Sequence, residues 1–131
     1  MKTNEQKFAE LTTYMADVAH SAAKEKGFYA PYESIQFASE FGISAERLAV
    51  QLDQACLARV MSEVGEAVEA LRHGNPPAEK IRGHTHEEEE LADTFIRLLD
   101  YCGHKGYDIG AAIIKKMAYN EGRPFLHGKN S

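Results

Sequence analysis

Hydrophobic positions recur along most of this chain at spacings of three and four, the period of an α-helix. Phe8, Leu11, Met15, Val18 and Ala22 draw one such stripe through residues 4–26, and Gly27 closes it after Lys24 and Lys26, as at a helix C-terminus. A short helix over 34–41 is broken at Gly42. Ser44 is a suitable N-cap, with Glu46 in the first turn, for a long helix that runs to about His73 and stops at Gly74-Asn75-Pro76-Pro77. Thr85 with Glu88 makes a capping box for a third long helix that ends between Gly103 and Gly106. Asp108 caps a fourth through about Asn120, with Ile109, Ile113 and Met117 expected to point inward, before Gly122 and Pro124 stop it. No segment sustains an alternation of period two between turn signals. The pattern predicts an all-α fold, a single domain over residues 1–131 in which four main helices form an antiparallel bundle joined by short loops.

The second long helix has an unusual wheel. At about 100° per residue, Leu57, Val60, Met61, Val64, Val68 and Leu71 share an apolar face. Arg47, Gln51, Gln54, Ser62, Glu69 and Arg72 share a polar one. Glu63 and Glu66 fall on neither. They lie on a third stripe with Leu48, Leu52, Cys56, Ala67 and Ala70, where Arg59 is the other charged member. Acids on a small and apolar stripe are expected to be partly buried, and buried charges need partners. Glu90 and Asp93 repeat the three-residue spacing in the next helix. Taken alone, their stripe of His86, Thr94, Arg97, Tyr101 and His104 opposite Leu91, Phe95, Leu98, Leu99 and Cys102 is what any solvated helix shows. Taken with the first pair, the four carboxylates Glu63, Glu66, Glu90 and Asp93 form a candidate metal site. Residues three apart stand on one side of a helix, so two helices can bring all four to one point. Oxygen donors alone suit a hard cation, Mg²⁺ or in its place Mn²⁺.

Composition narrows the field. A net charge of −5 leaves no nucleic-acid footprint. No apolar run approaches the length of a membrane span and no leader pattern opens the chain, so a soluble, cytoplasmic protein without a membrane partner is expected. Cys56 and Cys102 stand apart on apolar or small faces and are expected to be buried free thiols. The run Glu87–Glu90 complements the positive end of its helix, which accounts for Glu87, Glu88 and Glu89, whereas Glu90 alone pairs with Asp93 at the required spacing. Small or apolar residues on more than one face of the acidic helices point to burial against a second copy, a homodimer or homotetramer. Gly65, in the interior of the long helix, fits close packing of that kind.

A metal-holding acid cluster is half of a phosphate site. Lys116 and Asn120 stand four apart near the end of the last helix, with Arg123 beyond it and Lys129 in the tail. Metal, Lys, Arg and amide together suit a polyphosphate, and the competing reading is basic residues complementing a helix C-terminus. Phe28, Tyr29 and Tyr32 in the loop after the first helix suit a flat ligand or the cap of a core. His20, late in the first helix, suits a ligand contact, and the preferred reading is a surface residue.

In sequence order, Ser62-Glu63-Val64-Gly65-Glu66-Ala67, then Glu89-Glu90-Leu91-Ala92-Asp93, then Lys116-Met117-Ala118-Tyr119-Asn120 followed by Arg123-Pro124 and His127-Gly128-Lys129 resemble the MazG-like nucleotide pyrophosphohydrolases of the all-α type, over roughly residues 44–129. The resemblance implies a helical bundle completed by dimerisation, and Mg²⁺-dependent hydrolysis of a nucleoside triphosphate to monophosphate and pyrophosphate. By resemblance Glu63, Glu66, Glu90 and Asp93 hold the metal, and Lys116, Asn120 and Arg123 contact phosphates. Gly27-Phe28-Tyr29 resembles the family's aromatic turn, which implies that Phe28 and Tyr29 touch base or sugar. Many relatives carry a second glutamate where this chain has Ser62, and a serine hydroxyl is no base at neutral pH. Water activation then falls to a metal-site carboxylate, with Glu63 and Glu66 as the catalytic candidates, or to the ion itself. The expected role is cleaning of the nucleotide pool. Two alternatives are a nucleotide-binding regulatory protein without turnover, and a relative of the all-α dUTPases that accepts diphosphates.

Overall fold

A computed structural model describes residues 1–125, and every regular element among them is helical, with no strand. Helix α1 spans Asn4–Glu25, α2 is a single turn at Ala30–Glu33, a 3₁₀ segment covers Ile35–Phe41, α3 spans Ala45–Arg72, α4 His86–Lys105 and α5 Ile109–Glu121. The Ser44 cap, the Thr85–Glu88 capping box and the Asp108 cap all form as expected. Thr3 and Gln6 add a capping box at the head of α1. The aromatic loop contains the extra turn α2, begun by Pro31 near its N-terminus.

Helix α4 is the centre of the arrangement: α1 and α3 both pack on it, and α5 packs on α1. The loop between α3 and α4 fixes their register. The Asn75 side chain donates to Glu87 Oε2 and accepts from the Glu87 backbone N–H. The His86 amide donates to the Pro76 carbonyl at 2.7 Å, and an isolated bridge joins Pro77 to Thr85. Glu90 is thereby held opposite the middle of α3.

Two glycines allow the other close contacts. A Cβ on Gly103 would lie 2.6 Å from the Ala16 carbonyl oxygen, and one on Gly110 would lie 2.7 Å from Ala9 Cα. Helix α1 therefore meets α4 and α5 through Ala9, Thr12 and Ala16, its small stripe. The larger stripe of Phe8, Leu11, Met15 and Val18, the obvious core face by size, is exposed. The same inversion runs through the molecule. On α3 the buried residues are Val60, Glu63, Ala67 and Ala70, while Leu57, Met61, Val64, Val68 and Leu71 face outward, Met61 at 75% exposure. On α4, Glu90 and Thr94 are buried and Phe95 is 66% exposed. On α5, Gly110 is buried, whereas Met117 and Ile113, expected inside, are exposed. Gly65 has no neighbour within the chain.

The surface reflects this. The chain exposes 9951 Å², where a compact monomer of 14.6 kDa would expose roughly 6,900 Å². No large side chain among the described residues is fully buried. No helix among them is long and apolar enough to cross a membrane.

Candidate active site

Glu63 lies on the α3 stripe that faces α4 and is buried to 7% exposure, and Ala67 and Ala70 on the same stripe are buried too. Glu90, in the second turn of α4, is buried to 4%. Asp93, one turn on, is half-buried. Carboxylate oxygens of Glu63, Glu90 and Asp93 all lie within 4.8 Å of one another. Three of the four predicted ligands therefore converge. Glu66 is exposed and stands outside that trio, yet its charge is felt there. Burial first, then the Glu66 charge and a hydrogen bond shared with Glu63, push the Glu90 carboxyl above its usual range, against the opposing effect of His86.

The partners of these acids are few. Arg97 Nε donates to Glu63 Oε1 at 2.5 Å. His86 Nε2 lies 3.0 Å from Glu90 Oε1, and with Glu89 and Glu90 forms a second group of ligand atoms within 4.8 Å. Glu89, expected to be a solvated helix-dipole residue, is buried and accepts the Lys80 amide. A divalent cation fits this setting, since crowded oxygen donors in a partly dry site repel one another unless a cation lies between them. His86 adds one nitrogen donor at the edge, a ligand type that Mn²⁺ accepts more readily than Mg²⁺.

Beside the acids a pocket of about 280 Å³ opens between α1, α3 and α4. Asp93 and Arg97 form its border with the acid trio, Ala19, Ala22, Ala23 and Ile96 give it smooth walls, and Asp100 and Cys56 also line it. Both predicted aromatic residues line it as well. Phe28 is half-exposed and Tyr29 is buried. The Tyr29 hydroxyl donates to Asp100 Oδ1 at 2.8 Å, and His20 Nδ1 lies 3.1 Å from the same oxygen, so His20 is a tied, half-buried residue and not a surface one.

Behind Tyr29 a knot of rings locks the aromatic turn onto α4. His104 packs against Tyr29 at 4.8 Å and Tyr32 at 4.5 Å between centroids. Asp53 accepts from the Tyr32 hydroxyl at 2.8 Å and Lys105 Nζ at 2.7 Å, with His104 Nε2 at 3.3 Å. Burial alone would raise the Asp53 pKa, but Lys105, Tyr32 and His104 together hold the carboxyl below its usual value. Burial and the Asp100 carboxylate push the Tyr29 phenol far above its ordinary value, and burial with Cys56 and Asp53 does the same for Tyr32, so both remain donors. Tyr32, expected against a flat ligand or as the cap of a core, belongs to this knot, whereas Asp53, Asp100 and His104 carried no expected role in it. The signal for His104 was its wheel position with Glu90 and Asp93, and Asp53 had none.

The cationic set lies elsewhere. Lys116, Asn120 and Arg123 are exposed on or just beyond α5, and none of them lines the pocket. Lys116 Nζ sits 4.6 Å above the Tyr119 ring and Arg123 Cζ lies 6.0 Å from it. Lys129, with His127 and Gly128, lies outside the described residues. Cys102 is buried, and burial raises its thiol pKa. Cys56 is half-buried, and both are free. Comparison of the chain with family models, curated proteins and solved structures gives no match.

Proposed function

We propose that this protein is a Mg²⁺-dependent hydrolase of (deoxy)nucleoside triphosphates, releasing monophosphate and pyrophosphate. One observation carries the reading: three carboxylates from two helices converge, and one of them, Asp93, also lines a pocket of about 280 Å³ to which Phe28 and Tyr29 contribute. The motif resemblance names the reaction. Glu63, Glu90 and Asp93 would hold the ion, with Glu66 beside them, and the ion would supply charge neutralisation at the phosphates. Phe28 would cover the base or sugar, and Tyr29 would fix the pocket wall through Asp100. Glu66 makes no ion pair among the described residues, which leaves it free to orient the attacking water where Ser62 has no base to offer.

The large outward apolar face of α3 and α4 and the excess surface support a homo-oligomer in which that face is covered. Lys116, Asn120 and Arg123 are proposed to reach the phosphates from a second copy, because α5 rests on α1, away from the pocket of its own chain.

Incubation with each ribo- and deoxyribonucleoside triphosphate and Mg²⁺, with product identification, tests the reaction. Monophosphate plus pyrophosphate is expected, and Glu63→Gln or Asp93→Asn should abolish it. Orthophosphate plus diphosphate, or full activity in either variant, would refute the assignment. Light scattering tests the assembly: Val64→Glu should shift the oligomer toward monomer.

A further inference from the structure

Three cations line the pocket, none of them from α5: Lys26, Arg59 and Arg97. Arg97 is committed to Glu63. Elsewhere Arg72 and Lys105 also have carboxylate partners, whereas Lys26 and Arg59 form no ion pair or side-chain hydrogen bond among the described residues. Lys26 closes α1, where a cation complements the helix end. Arg59, exposed like Lys26, stands at no helix end. It sits mid-helix on α3, four residues before Glu63 on the same stripe, about 6 Å along the axis.

The pocket's size says what these cations face. At about 280 Å³ it falls at the small end of the ~300–1,000 Å³ typical of ligand sites. A volume of that size, lined by Ala19, Ala23, Phe28 and Ile96, suits a ring and sugar but not a polyphosphate chain as well. The phosphate chain would then extend beyond the pocket, toward the ion that Glu63, Glu90 and Asp93 would hold, and Arg59 lies between Cys56 of the pocket and Glu63 along α3. A metal-bound triphosphate retains net negative charge, which one divalent ion does not cancel. Two unpaired cations in the lining, one from the end of α1 and one from α3, suit that remainder, and the guanidinium can engage two phosphate oxygens at once.

We propose that Arg59 and Lys26 bind the phosphate chain of the nucleotide from within the same chain that holds the ion, and so select triphosphates over monophosphates. This rests on the nucleotide reading of the pocket and adds to it a phosphate contact that the α5 residues do not provide.

Calorimetric titration with an α,β-methylene nucleoside triphosphate and Mg²⁺, beside the matching monophosphate, tests it without turnover. Arg59→Ala and Lys26→Ala should each weaken triphosphate binding about tenfold, the worth of one charge-assisted contact. Monophosphate binding should change far less. Arg59→Lys should recover part of the loss, and Mn²⁺ binding followed by electron paramagnetic resonance should persist in every variant. Triphosphate affinity within twofold of wild type in the double variant would overturn the proposal, as would an equal loss for both nucleotides. Wild-type binding without hydrolysis of the natural triphosphate would sink the enzymatic reading and leave this one standing. No triphosphate binding by wild type would end both.

Discussion

Replacing Arg97 with alanine separates the stabilising role of the acid cluster from the metal-binding role proposed for it. Arg97 is the one guanidinium on the trio, through its hydrogen bond to Glu63 Oε1. Removing one partner of a fully buried ion pair costs about 3–5 kcal/mol, because the remaining charge is stranded. Here Glu63 is buried but the Arg97 side chain is 38% exposed. Water therefore screens the pair and replaces part of what is lost, and about 2 kcal/mol is the working figure. For a chain of this length that lowers Tm by about 6–10 °C. Thermal or urea unfolding in EDTA, at one fixed protein concentration, should show this loss. Adding Mn²⁺ or Mg²⁺ should return most of it. On the proposed site the ion would take over neutralisation of Glu63 and bind the variant more tightly than the wild type, and at a hundredfold excess over Kd it would contribute about 2.7 kcal/mol. An equal loss with and without the ion would mean that Glu63 does not face a cation site, and the metal centre would fall with it.

Other outcomes follow from the same geometry. Gly103→Ala places a methyl group 2.6 Å from a backbone oxygen of α1, so unfolding by urea should show a loss of about 1–3 kcal/mol. An unchanged midpoint would refute the close α1–α4 contact. The Asp53 carboxyl is held below its ordinary 3.8. Its contribution to stability is thus present above that pH and lost as pH falls through the lower folded value. Asp53→Asn should destabilise the protein at pH 7 by about 2 kcal/mol and flatten the acid limb of its stability curve, and a parallel acid limb would contradict this. Cys56 should be alkylated faster than Cys102, whose thiol burial pushes up. A bound nucleotide should protect Cys56, and peptide mass spectrometry showing equal rates would argue against the pocket.

The helices were legible in the sequence because their punctuation is local. Ser44, Thr85 with Glu88, Asp108 and the Gly74-Asn75-Pro76-Pro77 break act within a turn of where they stand, and α3, α4 and α5 begin and end where those residues direct. The convergence of Glu63, Glu90 and Asp93 was partly legible for the same reason. Three-residue spacing and a stripe of small neighbours are properties of one helix at a time. The fourth ligand was less so, since the exposure of Glu66 depends on how α3 is rotated against α4.

What the sequence could not yield is which face of each helix turns inward. Judged by size, Phe8, Met15, Met61, Phe95 and Met117 mark the core. Within the described chain the faces that meet are those of Ala9, Ala16, Gly103, Gly110, Ala67 and Ala70. Small residues let backbones approach closely, and only the packed arrangement shows that closeness outranks side-chain area here. The aromatic knot around Asp53 and Asp100 was hidden for a related reason. Its members are separated by as many as 80 residues, and no local period connects them. The sequence by itself determined that helices form, where they start and stop, and that acids recur on unusual stripes, because each of these is settled by residues within a turn or two of one another. Tertiary structure decided which stripes face each other, that a pocket opens beside the acids, and that Arg59 and Lys26 line it. Those facts depend on the distance between segments that only folding brings together.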